Sequence, residues 1–276
     1  MEKSQQNSER DLVARYEMKY IIRHELLPEI REFIKPFCKP DPNTSGTPPE
    51  YAITTLQLDA PNYALHFAKE REVDRRFKLR VRTYGEIGSA PVYCEVKAKL
   101  EDTIVKSRTG IPFELWGREL VHGVRLPNCF ENRQQELDFL QFKRICWQIG
   151  AVPKVLVRYI RESYVGVVDR YARVTLDRKL QYQVTDSWSD FGRSGIWRSM
   201  DSAEAQGFGL DYSGHVLEIK TLSHMPVWVM EMVERFQLQR SGNCKYSTAI
   251  WCEGILGRYP GPNEESADML AYAGGL

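Results

Sequence analysis

The residues of this chain best able to do chemistry are charged ones set at every second position. Side chains alternate across a β-strand, so residues i, i+2 and i+4 share one face. Sorted that way, Arg15, Glu17 and Lys19 fall together, as do Lys78, Arg80 and Arg82. Glu95, Lys97 and Lys99 share another face, with Cys94, Val96 and Ala98 opposite. Lys106 goes with Arg108, Arg173 with Thr175 and Asp177, and Glu218 with Lys220, while Arg161 stands beside Tyr159 and Ser163 on a less regular segment. These positions hold twelve basic and four acidic residues, a surplus of eight, so in a chain of net charge +1 the remainder is seven negative. Arginine forks and lysine point charges suit phosphate oxygens. The few interleaved carboxylates offer the hard oxygen ligands of a divalent cation.

Strand by strand, a half-buried sheet with a solvated, charged outer face gives the same alternation. A solvated surface usually mixes both signs, however, and concentrated cations suggest a basic groove or lumen. If a barrel closes with these faces inward, burying so many cations is prohibitive without a polyanion, or water and small anions, inside.

The elements that must position these residues can be read from periodicity. Arg15 to Ile22 reads as a strand, and 24–36 as a helix with Leu26, Leu27, Ile30, Phe33 and Ile34 on one side. A Pro-, Asn- and Gly-rich loop from Pro40 to Pro49 leads into a β-branched strand, Tyr51 to Asp59. Residues 75–84, 91–99 and 103–109 read as consecutive strands, with turns at Gly85-Glu86-Ile87-Gly88 and Glu101-Asp102. The stretch 133–149 reads as a helix with Leu137, Leu140, Phe142, Ile145 and Ile149 in the core. Strands follow at 154–167, 171–177 and 215–221, then a helix opened by Pro226 and running to about 238, whose aromatic Trp228 is expected to pack on the fold. One folded domain over 11–256 is expected, flanked by a disordered tail (1–10) and a flexible one (257–276). Short strands at close spacing, punctuated by helices, make the class α+β with a mainly antiparallel sheet or barrel.

Composition narrows the function. With 276 residues, 42% hydrophobic and 27% charged, the chain has the make-up of a globular domain with a substantial core. Lys+Arg at 38 against Asp+Glu at 37 gives no whole-molecule attraction to nucleic acid or anionic lipid. The sequence has no apolar run long enough to span a membrane, and MEKSQQNSER lacks a signal-peptide core. Six scattered cysteines without a C-x-x-C pair read as reduced cytoplasmic thiols. There is no P-loop, Rossmann turn, G-x-S-x-G or H-E-x-x-H motif, and the five histidines never fall at ligand spacing; His215 reads as structural.

Taken in order, Arg15-Tyr16-Glu17-Met18-Lys19-Tyr20, Lys78-Leu79-Arg80-Val81-Arg82-Thr83-Tyr84-Gly85, Glu95-Val96-Lys97 and Val105-Lys106-Ser107-Arg108 resemble the first half of a VTC domain. Arg161 through Arg173-Val174-Thr175-Leu176-Asp177, Val216-Leu217-Glu218-Ile219-Lys220 and Cys244-Lys245-Tyr246-Ser247 resemble its second half, a likeness running from about residue 12 to 254. VTC domains are polyphosphate polymerases of the triphosphate tunnel metalloenzyme superfamily. The resemblance implies an eight-stranded antiparallel tunnel with helices outside. It also implies transfer of the ATP γ-phosphate to a growing polyphosphate chain with manganese or magnesium, starting from orthophosphate or pyrophosphate.

By resemblance, Lys19, Arg80, Arg82, Lys97, Lys106, Tyr159, Arg161, Arg173 and Lys245 grip the phosphates and Glu218 is the principal metal ligand. Strand phase adds Glu17 to the metal ligands, and Lys220, Lys78 and Lys99 to the substrate-binding cations. Nucleic acid and membrane insertion are not expected; a membrane-protein partner for the polymer is left open.

The chain departs from the pattern in three ways. Relatives that hydrolyse triphosphates carry a first-strand E-x-E-x-K, and here Arg15 replaces the first Glu. That loss removes a metal ligand and a water-activating base, favouring polymerase over hydrolase. Cys244 stands where the family pattern has Ser before Lys245-Tyr246. The phosphate-sensing domain of eukaryotic VTC chains has no counterpart, as in free-standing bacterial-type domains. The alternatives are a triphosphatase acting on inorganic, thiamine or RNA 5′ triphosphates, a non-catalytic polyphosphate- or nucleotide-binding module, and a charged sheet of unrelated function.

Overall fold

The computed structural model describes residues 15–100, 103–168, 171–200, 215–222 and 225–254. Both expected tails and the turn residues Glu101-Asp102 lie outside the described residues. Among the described residues, ten strands and six α-helices form an α+β fold with antiparallel ladders. The chain divides into two compact units. One is built from the described parts of 1–51, 160–179 and 211–243, the other from those of 52–159, 180–210 and 244–276.

The first unit holds β1 (Arg15–Ile22), α1 (Leu27–Ile34), β2 (Cys38–Pro40), the later part of β7 (Val152–Gly166), the start of β8 (Arg173–Val184), β10 (His215–Leu222) and α5 (Val227–Arg235). Its strand order is β1-β10-β8-β7, with β2 paired to β7. Met18, Tyr20 and Ile22 point into a core with Leu217, Ile219, Val174 and Leu176, capped by Ile30 and Ile34 of α1 and Val229 and Met232 of α5. Trp228 packs on that core as expected, stacked on Phe37 with centroids 5.4 Å apart. His215 is buried against His24, Nδ1 to Nδ1 3.4 Å. The same alternation that buries Met18 and Tyr20 turns Glu17 and Lys19 to the opposite face.

The second unit holds the rest of β7, β3 (Glu50–Asp59), α2 (Ala64–Glu70), β4 (Arg75–Tyr84), β5 (Val92–Leu100), β6 (Thr103–Ile111), α3 (Arg118–His122), α4 (Arg133–Gln148), the end of β8, β9 (Arg198–Ser199) and α6 (Lys245–Cys252). Its strand order is β7-β3-β4-β5-β6, and β9 pairs with β8. Phe77, Leu79 and Val81 alternate inward with Cys94, Val96 and Ala98 of β5 against α4. Asn132 caps α4, its side chain accepting from the Gln135 N–H at 3.0 Å; such a cap contributes about 1 kcal/mol.

Three expectations need correction. Leu137 is 43% exposed and Leu140 only half-buried; the expected Phe142, Ile145 and Ile149 are buried, joined by Phe139 and Cys146. Two residues turn a helix by roughly 200°, so a face drawn through Phe139 excludes Leu137. Among the described residues the strands number ten, not eight, because the short β2 and β9 add to an eight-strand path; the end strands β1 and β6 each pair with one named strand, and the hydrogen bonds of the described residues do not close a barrel. Helices α2, α3 and α6 and the strands β2 and β9 went unread in the sequence.

Candidate functional site

In the second unit the ladder registers line the charged residues up in cross-strand rungs. Lys78 lies opposite Lys97, which lies opposite Lys106. One step along, Arg80 faces Glu95 and Glu95 faces Arg108; the next rung is Arg82, Tyr93 and Gly110. Lys99 sits a step the other way, between Arg76 and Ile104. Like charges directly opposite destabilise a sheet, so the three-lysine rung is built at a cost that an anion can offset.

Glu95 is the one carboxylate among these rungs. Its Oε2 accepts from Arg80 Nε at 2.5 Å and lies 3.9 Å from Arg82 Nη1, and its Oε1 lies 3.6 Å from Arg108 Nε. Burial pushes its carboxyl up, but Arg80 and Arg82 outweigh that and hold it below its ordinary range. Burial in turn, helped by Arg82, lowers the Arg80 guanidinium.

Helix α6 brings two more residues to this unit's site. Lys245 Nζ sits 4.8 Å from the centre of the buried Tyr159 ring. Cys244, at the helix N-cap, accepts from Lys78 Nζ at 3.2 Å. Burial would raise this thiol, but Lys78 and hydrogen bonds from Ser247 bring it down to about 6. The helix is pinned from behind. Tyr246 donates its hydroxyl to Asp59 Oδ2 at 2.8 Å, and Ser247 Oγ lies 3.1 Å from His66 Nδ1. Asp59 also accepts from the backbone N–H groups of Ala60, Leu65 and His66, which fixes the start of α2.

The first unit carries a different face. Glu17 lies opposite Lys220 and Lys220 opposite Arg173; Lys19 lies opposite Glu218 and Glu218 opposite Thr175. Lys19 Nζ stands between two carboxylates, 3.1 Å from Glu17 and 3.8 Å from Glu218, and Lys220 Nζ reaches Glu218 at 2.5 Å. Burial pushes Glu218 up, but Lys220, Arg161 and Lys19 prevail and keep it well below the usual carboxylate range. Arg161 grips the fully buried Asp177 with two hydrogen bonds, 2.7 and 2.8 Å. Arg173 reaches Asp41 at 3.0 Å.

Among the described residues no group of three or more His, Cys, Asp or Glu side chains stands together as a metal site. Glu17 and Glu218 around Lys19 do fit the lighter pattern of a divalent ion held by one or two carboxylates with substrate phosphates completing its shell.

The sequence reading left three partners without a role. Glu95 was on a charged face but its three arginines follow only from the register. Asp41 lies in the Pro-rich loop, and Cys244 gave no sign of Lys78, 166 residues away.

This chain belongs to the VTC domain family, whose model matches residues 14–252. Membership points to polyphosphate-related chemistry, with polyphosphate and nucleoside triphosphates as the related ligands. No curated protein matches the chain. Among solved structures it is similar to the PH1819 protein from Pyrococcus horikoshii OT3, at 11% identity and a TM-score of 0.42, covering 87% of this chain and 98% of that one. Among the described residues, no helix is long and apolar enough to cross a membrane.

Proposed function

We propose that this protein is a polyphosphate polymerase, transferring the γ-phosphoryl group of ATP to a growing inorganic polyphosphate chain. The observation that carries this reading is the three-lysine rung Lys78, Lys97 and Lys106 next to Arg80 and Arg82, with a single carboxylate among them. Such a face is matched to a chain of phosphates. In the transfer, an oxygen of the terminal phosphate of the acceptor attacks the γ-phosphorus in line, the bond to the bridging oxygen breaks, and ADP leaves with it. The acceptor is already anionic near neutral pH, so no general base is needed, and catalysis reduces to positioning and charge neutralisation. Arg80, Arg82, Lys97, Lys106, Lys245 and Tyr159 serve this in the second unit, with Lys78 and Lys99 beside them. Lys19, Arg161, Arg173 and Lys220 serve it in the first.

Glu218, with Glu17, would hold a manganese or magnesium ion, which when bound neutralises charge on phosphate oxygens. Arg15 in place of a first-strand carboxylate supports transfer to phosphate over transfer to water. A cytoplasmic setting, supported by six free cysteines, belongs to the same proposal.

The test is ATP turnover with manganese, resolving polyphosphate on a stained gel and assaying free phosphate in parallel. The expected result is a ladder of polymer formed in step with ADP. Free phosphate without polymer would make the protein a triphosphatase. Binding of polyphosphate without turnover would make it a binding module. Arg80→Ala should lower the polymer-forming rate about 10²–10³-fold, the usual cost of losing one preorganised charge-stabilising group.

A further inference from the structure

The cation rungs of the second unit end in aromatic side chains that phosphate gripping does not explain. On the same face as Arg80 and Arg82 lie Tyr84 and Tyr93, edge to face with centroids 5.7 Å apart. The Arg108 guanidinium lies over both rings, 3.9 Å from the centre of Tyr93 and 5.5 Å from that of Tyr84. Its Nη2 donates to the Tyr84 hydroxyl at 3.3 Å. Opposite Tyr93 the chain has Gly110, where an added Cβ would come within 3.4 Å of the Tyr93 ring. Any longer side chain would compete for the space the ring occupies.

Arg108 is thus held by a ring beneath and the Tyr84 hydroxyl, while its side chain stays 47% exposed. Its charge is already met in part by Glu95 at 3.6 Å. What it still offers is a flat, open surface. Arginine planes and aromatic rings are the surfaces on which proteins stack unpaired bases. The placement suits one ligand in particular. The Arg108 backbone is in the rung next to the lysine rung, two residues and roughly 7 Å along the strand, and its guanidinium reaches on to Tyr93, four residues and roughly 13 Å along. A nucleoside triphosphate lying along the rungs would have its phosphates among the lysines and arginines and its base over Arg108.

We propose that Arg108, backed by Tyr93 and Tyr84, forms a base-stacking platform that recognises the nucleoside end of a nucleoside triphosphate. This rests on the reading of the rungs as a phosphate-binding face. It adds a means of telling ATP from a bare phosphate chain, which phosphate contacts alone do not supply.

The experiment is calorimetric titration of the full chain with ATP and, separately, with inorganic tripolyphosphate. Wild type and two variants would be used, Arg108→Lys and Tyr93→Leu, with thermal melts to verify folding. Lysine keeps the charge but has no plane to stack. Each variant should lose about five- to tenfold in ATP affinity, in keeping with the removal of one base-stacking contact, and stay within twofold for tripolyphosphate. Equal losses on both ligands would overturn the platform and leave Arg108 a phosphate contact. Unchanged ATP affinity in both variants would overturn it as well, and so would wild-type binding of tripolyphosphate but not ATP, which would spare the phosphate face. If the selective loss is seen but no polymer forms in the turnover assay, the platform stands and the polymerase reading falls.

Discussion

The charged faces of the two units are built on the same strand alternation and solve opposite electrostatic problems. In the first unit, Lys19, Lys220, Arg161 and Arg173 stand against Glu17, Glu218, Asp177 and Asp41, acid matched to base within 4 Å throughout. In the second, Lys78, Arg80, Arg82, Lys97, Lys106 and Arg108 have Glu95 as the single acid in their rungs. A neutralised face keeps its geometry without a ligand and offers carboxylates that a cation can compete for. A face with surplus positive charge is better matched to a polyanion than to itself. The difference shows that net charge near zero conceals the division of labour, since +1 over the whole chain describes neither face.

The largest effect is expected in the first unit. Arg161→Ala would leave Asp177 buried without its bidentate partner. Removing one partner of a buried pair costs about 3–5 kcal/mol, so chemical denaturation should show a loss of that size. A variant as stable as wild type would mean the pair is not holding this face together.

The next effect belongs to the Lys78–Cys244 contact. With its thiol brought down to about 6, Cys244 should react with iodoacetamide with a rate midpoint near pH 6. Lys78→Met should move that midpoint up toward the ordinary thiol value. Cys38, pushed up to about 12 by burial, should stay unreactive across the same range. The linkage has a definite sign. A depressed thiol pKa contributes stability that is present above the unfolded-state value and is lost as pH falls through about 6. Wild type should therefore lose more stability than Lys78→Met on going from pH 8 to pH 5, and parallel curves would refute the ion pair.

The smallest effect sharpens the contrast. Lys97→Met relieves two like-charge oppositions, with Lys78 and with Lys106. Cross-strand pairs are worth about 0.2–1 kcal/mol each, so this variant should melt slightly higher than wild type at low salt. The gain should vanish at high salt. Destabilisation instead would mean that Lys97 is held by neighbours more than it is opposed by them.

What the sequence made legible was whatever depends on local periodicity. Alternation placed β4 at its observed bounds and β5 within one residue of them, and with them the sidedness of Lys78, Arg80, Arg82, Glu95 and Lys97. The unread parts depend on partners far away in the chain. Asp41 meets Arg173 across 132 positions, and no local pattern marks Asp41 as the partner of that arginine. Helices α2 and α6, seven and eight residues long, are too short for a periodic signal and are held by Asp59, a buried tertiary hub. Leu137 failed for a related reason, since several apolar faces can be drawn on α4 and only packing against β5 and β6 chooses the one through Phe139.

The pairing of core and charge on single strands has a consequence for how this chain can change length. Phe77, Leu79 and Val81 are interleaved residue by residue with Lys78, Arg80 and Arg82. Deleting one residue from β4 would exchange the two sets, sending lysine and arginine into the hydrocarbon interior and phenylalanine and leucine to the charged side. Such a lesion removes foldability and ligand recognition in one event. Single-residue insertions and deletions should therefore be borne far better in the connections between strands, such as the 85–91 turn between β4 and β5, than inside β4 itself.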